Sequence, residues 1–199
     1  KDKKCIGIIF GGNSNEHYVS ICSAKTVYKA IISKQNQERF MVKAFYINKY
    51  GVWFDNDISL QILKENSRND LSDTYQVLPK REFNFLNKIE FQNIDIWFPL
   101  LHGSNGEDGA IHGLLKFTQK PLVGCGILGS ALGMDKIMMK KIFSHLKIPQ
   151  VNYLAIQNHD LSKDNIKNNL SIKIIEKLNL PVFIKPANSG SSLGISKAN

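Results

Sequence analysis

Apolar residues along this chain fall into two periodicities that alternate from the amino terminus onward. Short continuous runs come first in each cycle: "CIGIIF" (5–10), "FMVKAFYI" (40–47) and "NIDIWFPLL" (93–101). Runs of this length, bounded by turn residues, predict strands buried on both faces, as in a parallel sheet. Between them the spacing lengthens. Val19, Cys22, Val27, Ala30 and Ile31 form a helical stripe over 16–33, and "AIHGLLKFTQ" (110–119) predicts a shorter helix. "GVWF" (51–54) reads as a hairpin arm after the second strand, and "LVG" (122–124) as a brief strand. Residues 55–92 are polar and weakly periodic, which predicts short helices and loops. Leu128, Ala131, Leu132, Met139, Ile142 and Leu146 continue a helical stripe across 127–147, but Asp135 interrupts it. Asp135 is therefore expected to cap a second helix that begins at Lys136. "VNYLAI" (151–156) as a strand, a helix over 162–178 and the strand "PVFIKP" (181–186) complete the pattern.

Strands alternating with helices predict an α/β architecture with a mostly parallel sheet. A glycine-rich turn at Gly124–Gly126 separates two such patterns, so domains are expected at 1–124 and 125–199. Composition narrows the function classes. The formal charge is +9, yet it comes from 23 Lys and only 3 Arg, scattered rather than striped. Arg is the residue that forks onto phosphates and guanine, so nucleic acid is not the expected partner. No apolar run approaches the about 18 residues of a membrane helix. Three cysteines without metal-ligand spacing, and no leader pattern, predict a reducing cytoplasm.

Four stretches could carry chemistry. In "GGNSNEHYVS" (11–20), two glycines after the first strand allow backbone to approach a ligand at the carboxyl edge of the sheet. The stretch is not a G-x-G-x-x-G fingerprint, which removes the main support for a nicotinamide cofactor. Glu16 fits two readings there, a capping box with Asn13 or a carboxylate that receives a substrate ammonium group. In "HGSNGEDG" (102–109), Ser104 and Glu107 again have capping-box spacing, and Glu107 and Asp108 suit a helix N-terminus. His102, at a strand end, is either a satisfied polar group or part of a cleft. In "MDKIMMKK" (134–141), Lys136 stands where the helix dipole disfavours a cation, which an anion at the same place would explain. In "KPANSGSSLG" (185–194), a lysine leaves an apolar strand and meets a Gly/Ser loop whose N–H groups can form an anion-binding nest. The G-K-[ST] ending of a Walker loop is missing, and "GISKAN" reads as a returning strand. A β-hairpin lid over phosphates is the expectation.

In this order and spacing the four stretches resemble the D-alanine–D-alanine ligases of the ATP-grasp superfamily. "HGSNGEDGAIHG" is similar to the family's histidine–glycine signature, and "GCGILGSALGMDK" and "VFIKPANSGSSLGISK" to the segments that open its nucleotide-binding half. His112 departs from the family pattern, which has Gln or a small residue there. The resemblance implies a Rossmann-like parallel-sheet domain over 1–124 and the first ATP-grasp lobe over 125–199. It implies ATP-dependent joining of two D-alanines through an acyl phosphate, for peptidoglycan precursors, by a cytoplasmic homodimer that uses ATP and Mg2+. Glu16 would bind the ammonium of the first D-alanine and His102 would line its pocket. Ser191 would hydrogen-bond with Glu16. Lys136 and Lys185 would contact the nucleotide phosphates, with Ser189, Gly190, Ser191, Ser192 and Gly194 in the loop that closes over them.

Family chains run well past the position of Asn199, and the resemblance places the second lobe, the magnesium ligands and an arginine there. Residues 1–199 are accordingly expected to bind no metal and to make no dipeptide alone. Two other functions fit the same residues: another carboxylate–amine ligase, such as a D-alanine–D-lactate type, and a non-catalytic module that senses nucleotide or D-alanine.

Overall fold

The computed structural model describes residues 2–65, 89–157 and 164–199. The chain forms two compact units, Lys1–Ala131 and Leu132–Asn199.

The first unit is built on three parallel strands, β1 (Lys4–Gly11), β2 (Phe40–Ile47) and β3 (Ile96–Pro99), in the order β2-β1-β3. Lys4 pairs with Phe40 and Gly11 with Ile47 on one side of β1, while Ile6 to Ile9 pair with Ile96 to Pro99 on the other. Strand β1 thus lies between both neighbours, and its alternating side chains serve two cores. Ile6, Ile8 and Phe10 pack with Ala44 and Tyr46 against helices α1 (His17–Ile31) and α2 (Asn56–Lys64). Cys5 and Ile9 face the opposite side, with Phe45, Phe91, Trp97 and residues of α4 (Ala110–Lys116). Phe91 lies in the short helix α3 (Ile89–Gln92), and its ring stacks on Phe45 at a centroid distance of 4.9 Å. Burial on both faces is why these strands read as continuous apolar runs.

Asp95 closes the amino-terminal edge of this sheet. Its carboxylate accepts from the Cys5 backbone N–H at 2.8 Å and from Lys4 Nζ at 3.3 Å. The Cys5 hydrogen bond, then the lysine, holds its pKa below the usual aspartate value, against a smaller opposing effect of burial.

Two expected elements reduce to single bridges. Trp53 makes one antiparallel bridge to Ile47 where a hairpin arm is expected, and Leu122 makes one parallel bridge to Trp97 where a brief strand is expected. Each run is too short, and too quickly followed by Asn56 or Gly124, to extend a ladder. Residues 66–88, most of the weakly periodic region, lie outside the described residues.

Helix α5 (Gly126–Met134) leads into the second unit, and α6 (Lys136–His145) follows after a single residue. Asp135 is the N-cap between them: its Oδ1 accepts from the N–H groups of Ile137 at 2.9 Å and Met138 at 3.0 Å. Helix α7 (Asp164–Leu178) precedes an antiparallel hairpin of β4 (Val182–Ile184) and β5 (Ser196–Ala198), as the sequence predicts. The expected strand 151–156 is absent. Val151 is exposed, and the segment finds no ladder partner among the described residues; side chains of α6 hold it instead. Lys140 lies over the Tyr153 ring at 4.8 Å, and Gln150 donates to the Lys140 carbonyl at 2.9 Å.

Candidate functional site

In an open parallel sheet, ligands bind at the carboxyl ends of the strands, where the strand order reverses. Here that point lies between β1 and β3, because the chain leaves β1 for β2 on one side and later enters β3 on the other. The loops after these two strands are the first two stretches singled out in the sequence.

The loop after β1 begins with Gly11 and Gly12, both at positive φ. A side chain at Gly11 would place its Cβ 2.1 Å from the Ile47 carbonyl oxygen, so only glycine fits there. Ser20, on the buried face of α1, then joins both strand ends. Its hydroxyl accepts from the Gly11 N–H at 2.8 Å and donates to the Leu100 carbonyl at 2.6 Å. His17, also buried, bonds the Gly12 carbonyl through Nδ1 and Tyr46 Oη through Nε2 at 3.0 Å. A carbonyl only accepts, so Nδ1 carries the proton and Tyr46 donates to Nε2 when the ring is neutral.

Glu16 is not the closing residue of a capping box with Asn13. It occupies the N-cap position itself, and its side chain makes no capping hydrogen bond. The helix starts later than Asn13 would require, so the capping-box reading fails. The Glu16 carboxylate instead lies against Gly103 in the loop after β3. A Cβ added at Gly103 would meet Glu16 Oε2 at 2.7 Å, and Gly103 has φ +70. Ser14 ties the two loops together: its hydroxyl donates to the His102 carbonyl at 2.6 Å and accepts from the Glu16 N–H at 3.2 Å. Asn105 adds a second tie, donating to Asn13 Oδ1 at 3.1 Å.

The second capping box also fails. Helix α4 has Gly109 as N-cap with no side-chain hydrogen bond. Glu107 turns back into its own loop. Its Oε2 accepts from the Gly103 N–H at 2.9 Å, and its Oε1 lies 3.5 Å from His102 Nδ1. His102 Nε2 is 2.9 Å from the Ser23 hydroxyl. Both ring nitrogens are therefore held, by α1 on one side and by the loop carboxylate on the other. Asp108 takes the local role, accepting from the N–H groups of Asn105 at 2.8 Å and Ala110 at 3.0 Å. The carboxylate of Glu16 and the His102 ring are thus brought into one loop cluster, half-buried, at the switch point.

The second unit assembles the other two stretches. Lys136 opens α6. Its backbone N–H donates to the Ala187 carbonyl at 3.0 Å, and its Nζ donates to the Ser189 carbonyl. Lys185 follows β4 directly and is exposed, not buried in a strand as its apolar neighbours suggest; among the described residues Phe183 and Ile184 beside it are exposed too. The turn of the hairpin is closed by Leu193 N–H to Gly190 O at 3.0 Å and Ile195 N–H to Ser192 O at 3.3 Å. Ser191 and Ser192 have φ 46 and 60, and Gly194 has φ 69. Two successive serines in the left-handed region cost on the order of 1 kcal/mol each, and such outliers concentrate at ligand-binding loops.

Sequence reasoning does not find Ser14, His17, Ser20 or Ser23. Ser20 and His17 carry a weak signal, polar residues at helical spacing on a face turned to the sheet. Ser14 and Ser23 carry none, because their partners lie 88 and 79 residues away.

The fold and the two loop clusters define an α/β protein with a parallel sheet whose strand-end loops gather polar side chains, and with a Gly/Ser hairpin beside a helix N-terminus in its second unit. Comparison with known proteins makes the class specific. A family model described as the D-ala D-ala ligase N-terminus matches residues 5–125, and one described as the D-ala D-ala ligase C-terminus matches residues 142–199. The chain belongs to the D-alanine–D-alanine ligase family. It is 79% identical over 198 residues to a D-alanine–D-alanine ligase of Prochlorococcus marinus subsp. pastoris, covering 100% of this chain and 56% of that protein. It is 77% identical over 197 residues to one from Prochlorococcus marinus strain MIT 9515, covering 99% and 56%. The D-alanine–D-alanine ligase structure from Coxiella burnetii superposes with a TM-score of 0.75 at 26% identity, covering 100% of this chain and 55% of that one. The VanG D-Ala:D-Ser ligase from Enterococcus faecalis superposes with a TM-score of 0.70 at 30% identity, covering 98% and 55%. The chain spans about half the length of the curated relatives it matches.

Proposed function

We propose that the whole protein joins two D-alanines at the expense of ATP, and that this chain supplies the site for the first D-alanine and part of the site for the nucleotide. The observation that carries this reading is Glu16: a half-buried carboxylate, relieved of any capping duty, beside His102 at the switch point of a parallel sheet. A carboxylate there recognises an ammonium group, and Ser14 and Glu107 hold the surrounding loops in register.

In the proposed reaction a carboxylate oxygen of the first D-alanine attacks the γ-phosphorus of ATP, and the bond to the departing ADP oxygen breaks. The amine of the second D-alanine then attacks the acyl carbon, expels inorganic phosphate and loses a proton. Phosphoryl transfer of this kind is governed by positioning and charge neutralisation. Lys136 and Lys185 serve as the cationic contacts of the phosphates. Ser189, Gly190, Ser191, Ser192 and Gly194 form the loop over them, and the proposed role of Ser191 is a hydrogen bond with Glu16 that orients the site. The domain assignment follows the same reading: residues 1–124 for substrate and 125–199 as the first nucleotide-binding lobe. Among the described residues no three His, Cys, Asp or Glu side chains group to hold a metal.

No helix among the described residues is long and apolar enough to cross a membrane. We read the whole protein as a cytoplasmic homodimer that supplies dipeptide for the cell wall and takes neither nucleic acid nor membrane as partner. The deciding experiment incubates the whole protein with ATP, magnesium and D-alanine and follows dipeptide by mass spectrometry, with D-serine and D-lactate as competing acceptors. Dipeptide containing only D-alanine is the expected product. Absence of any D-alanine-dependent ADP release would sink the reading.

A further inference from the structure

Lys136 makes two contacts with one short segment. Its backbone N–H is bonded to the Ala187 carbonyl, and its ammonium to the Ser189 carbonyl two residues on. The two acceptors sit where the chain leaves β4 and enters the Ser189–Gly194 turn. Beyond them, backbone bonds from Leu193 to Gly190 and from Ile195 to Ser192 close the turn. Leu193 is exposed, and Ser191 and Ser192 are held in a backbone region that serine rarely occupies. A strained, apolar-poor turn of this kind opens readily unless something anchors its base.

We propose that Lys136 is a positioning residue that clasps the base of the Gly/Ser hairpin turn to the amino-terminal end of α6 before any nucleotide arrives. An ammonium group has three N–H donors, and the Ser189 carbonyl uses one. The remaining donors are available to an anion, so the same lysine links the turn to a bound phosphate. Asp135 makes this possible, because its side chain caps Ile137 and Met138 and fixes where α6 begins. Lys185 has a different job. It is exposed beyond β4, and it contributes charge without holding the turn. The clasp itself needs no nucleotide; only the link to phosphate rests on the reading above.

Hydrogen exchange by mass spectrometry on the 199-residue chain without ligand tests the clasp. Lys136→Met is compared with Lys185→Met and with Lys141→Met, an exposed lysine on the same helix. Losing a charge-assisted hydrogen bond should speed exchange over 187–194 by about tenfold or more in Lys136→Met. The other two variants should leave that segment within about twofold of wild type, well inside what one such bond is worth. Exchange in the body of α6 should stay unchanged, and Lys136→Arg, which keeps donors, should retain part of the protection. Unchanged exchange over 187–194 in Lys136→Met, or equal loosening in Lys141→Met, overturns the proposal. A second arm adds ATP and magnesium to the whole protein. Protection of the turn in wild type and in Lys141→Met, but not in Lys136→Met, supports the link to phosphate. A clasp seen without ligand, together with no ATP protection in wild type, would uphold the clasp and remove the nucleotide reading.

Discussion

Ser20→Ala should be among the most damaging conservative substitutions in the first unit, although Ser20 touches no expected ligand. The side chain is fully buried, and its single oxygen satisfies two backbone groups on different strands. Alanine removes only that oxygen, so cavity formation is minor and the cost lies in the two abandoned partners. The Gly11 N–H is buried and would lose its hydrogen bond without water to replace it, which costs about 1–3 kcal/mol. The Leu100 carbonyl is partly accessible, so water recovers some of its loss and about 0.5–1.5 kcal/mol remains. The sum is about 1.5–4.5 kcal/mol, equivalent to a fall in Tm of roughly 6–18 °C for a unit of this size. Urea unfolding followed by tryptophan fluorescence reads the unit directly, because both tryptophans, Trp53 and Trp97, belong to it. Thr26→Ala is the control: its hydroxyl donates to the Cys22 carbonyl on the exposed side of the same helix, and its loss should stay within about 0.5 kcal/mol. A Ser20→Ala loss no larger than that of Thr26→Ala would refute the claim that this serine stitches β1 to β3.

Glu16→Gln in the whole protein should reduce kcat/KM for D-alanine by about 10- to 150-fold, the worth of one charge-assisted hydrogen bond, with little change in unfolding midpoint. A drop in stability with normal kinetics would return Glu16 to a structural role. Lys185→Ala should weaken ATP binding in calorimetry and leave the far-UV spectrum unchanged, since the side chain is exposed; unaltered affinity would remove Lys185 from the nucleotide site. Asp95 gives a pH dependence. Its folded pKa is depressed, first by the Cys5 N–H and then by Lys4, so its contribution is complete above the ordinary aspartate value of about 3.9 and is lost as pH falls below it. The stability gap between wild type and Asp95→Asn should therefore narrow between pH 6 and pH 3, measured by urea midpoints; a gap that widens on acidification contradicts the assignment.

The strands were legible because each is buried on both faces, and burial on both faces writes an unbroken apolar run into the sequence. The break at Asp135 was legible for a different reason: a carboxylate inside an apolar stripe is costly unless it does a local job, and capping is that job. Capping boxes were the misleading signal. Asn13–Glu16 and Ser104–Glu107 have the spacing, yet neither helix starts where the box requires, because spacing fixes an interval and not an origin. "VNYLAI" misled similarly. Its apolar content is real, but a strand exists only when a neighbour supplies the other half of the ladder, and none does among the described residues.

What the sequence could not carry is the wiring between loops. Ser14 and Ser23 bond His102 from 88 and 79 residues away along the chain, and a serine's local sequence is silent about such a partner. The topology supplies the missing step. Once β1 lies between β2 and β3, the loops that follow β1 and β3 have to emerge side by side, and a polar residue in one falls within reach of the other. The order of strands therefore decides that Glu16, His102 and Glu107 share a neighbourhood, while hydroxyls too short to be noticed in sequence decide which atom faces which. This division explains why a motif of charged residues was readable and its support was not. Charged groups at strand ends are unusual enough to stand out in sequence, whereas the serines that hold them are common residues distinguished only by burial and by two well-placed hydrogen bonds.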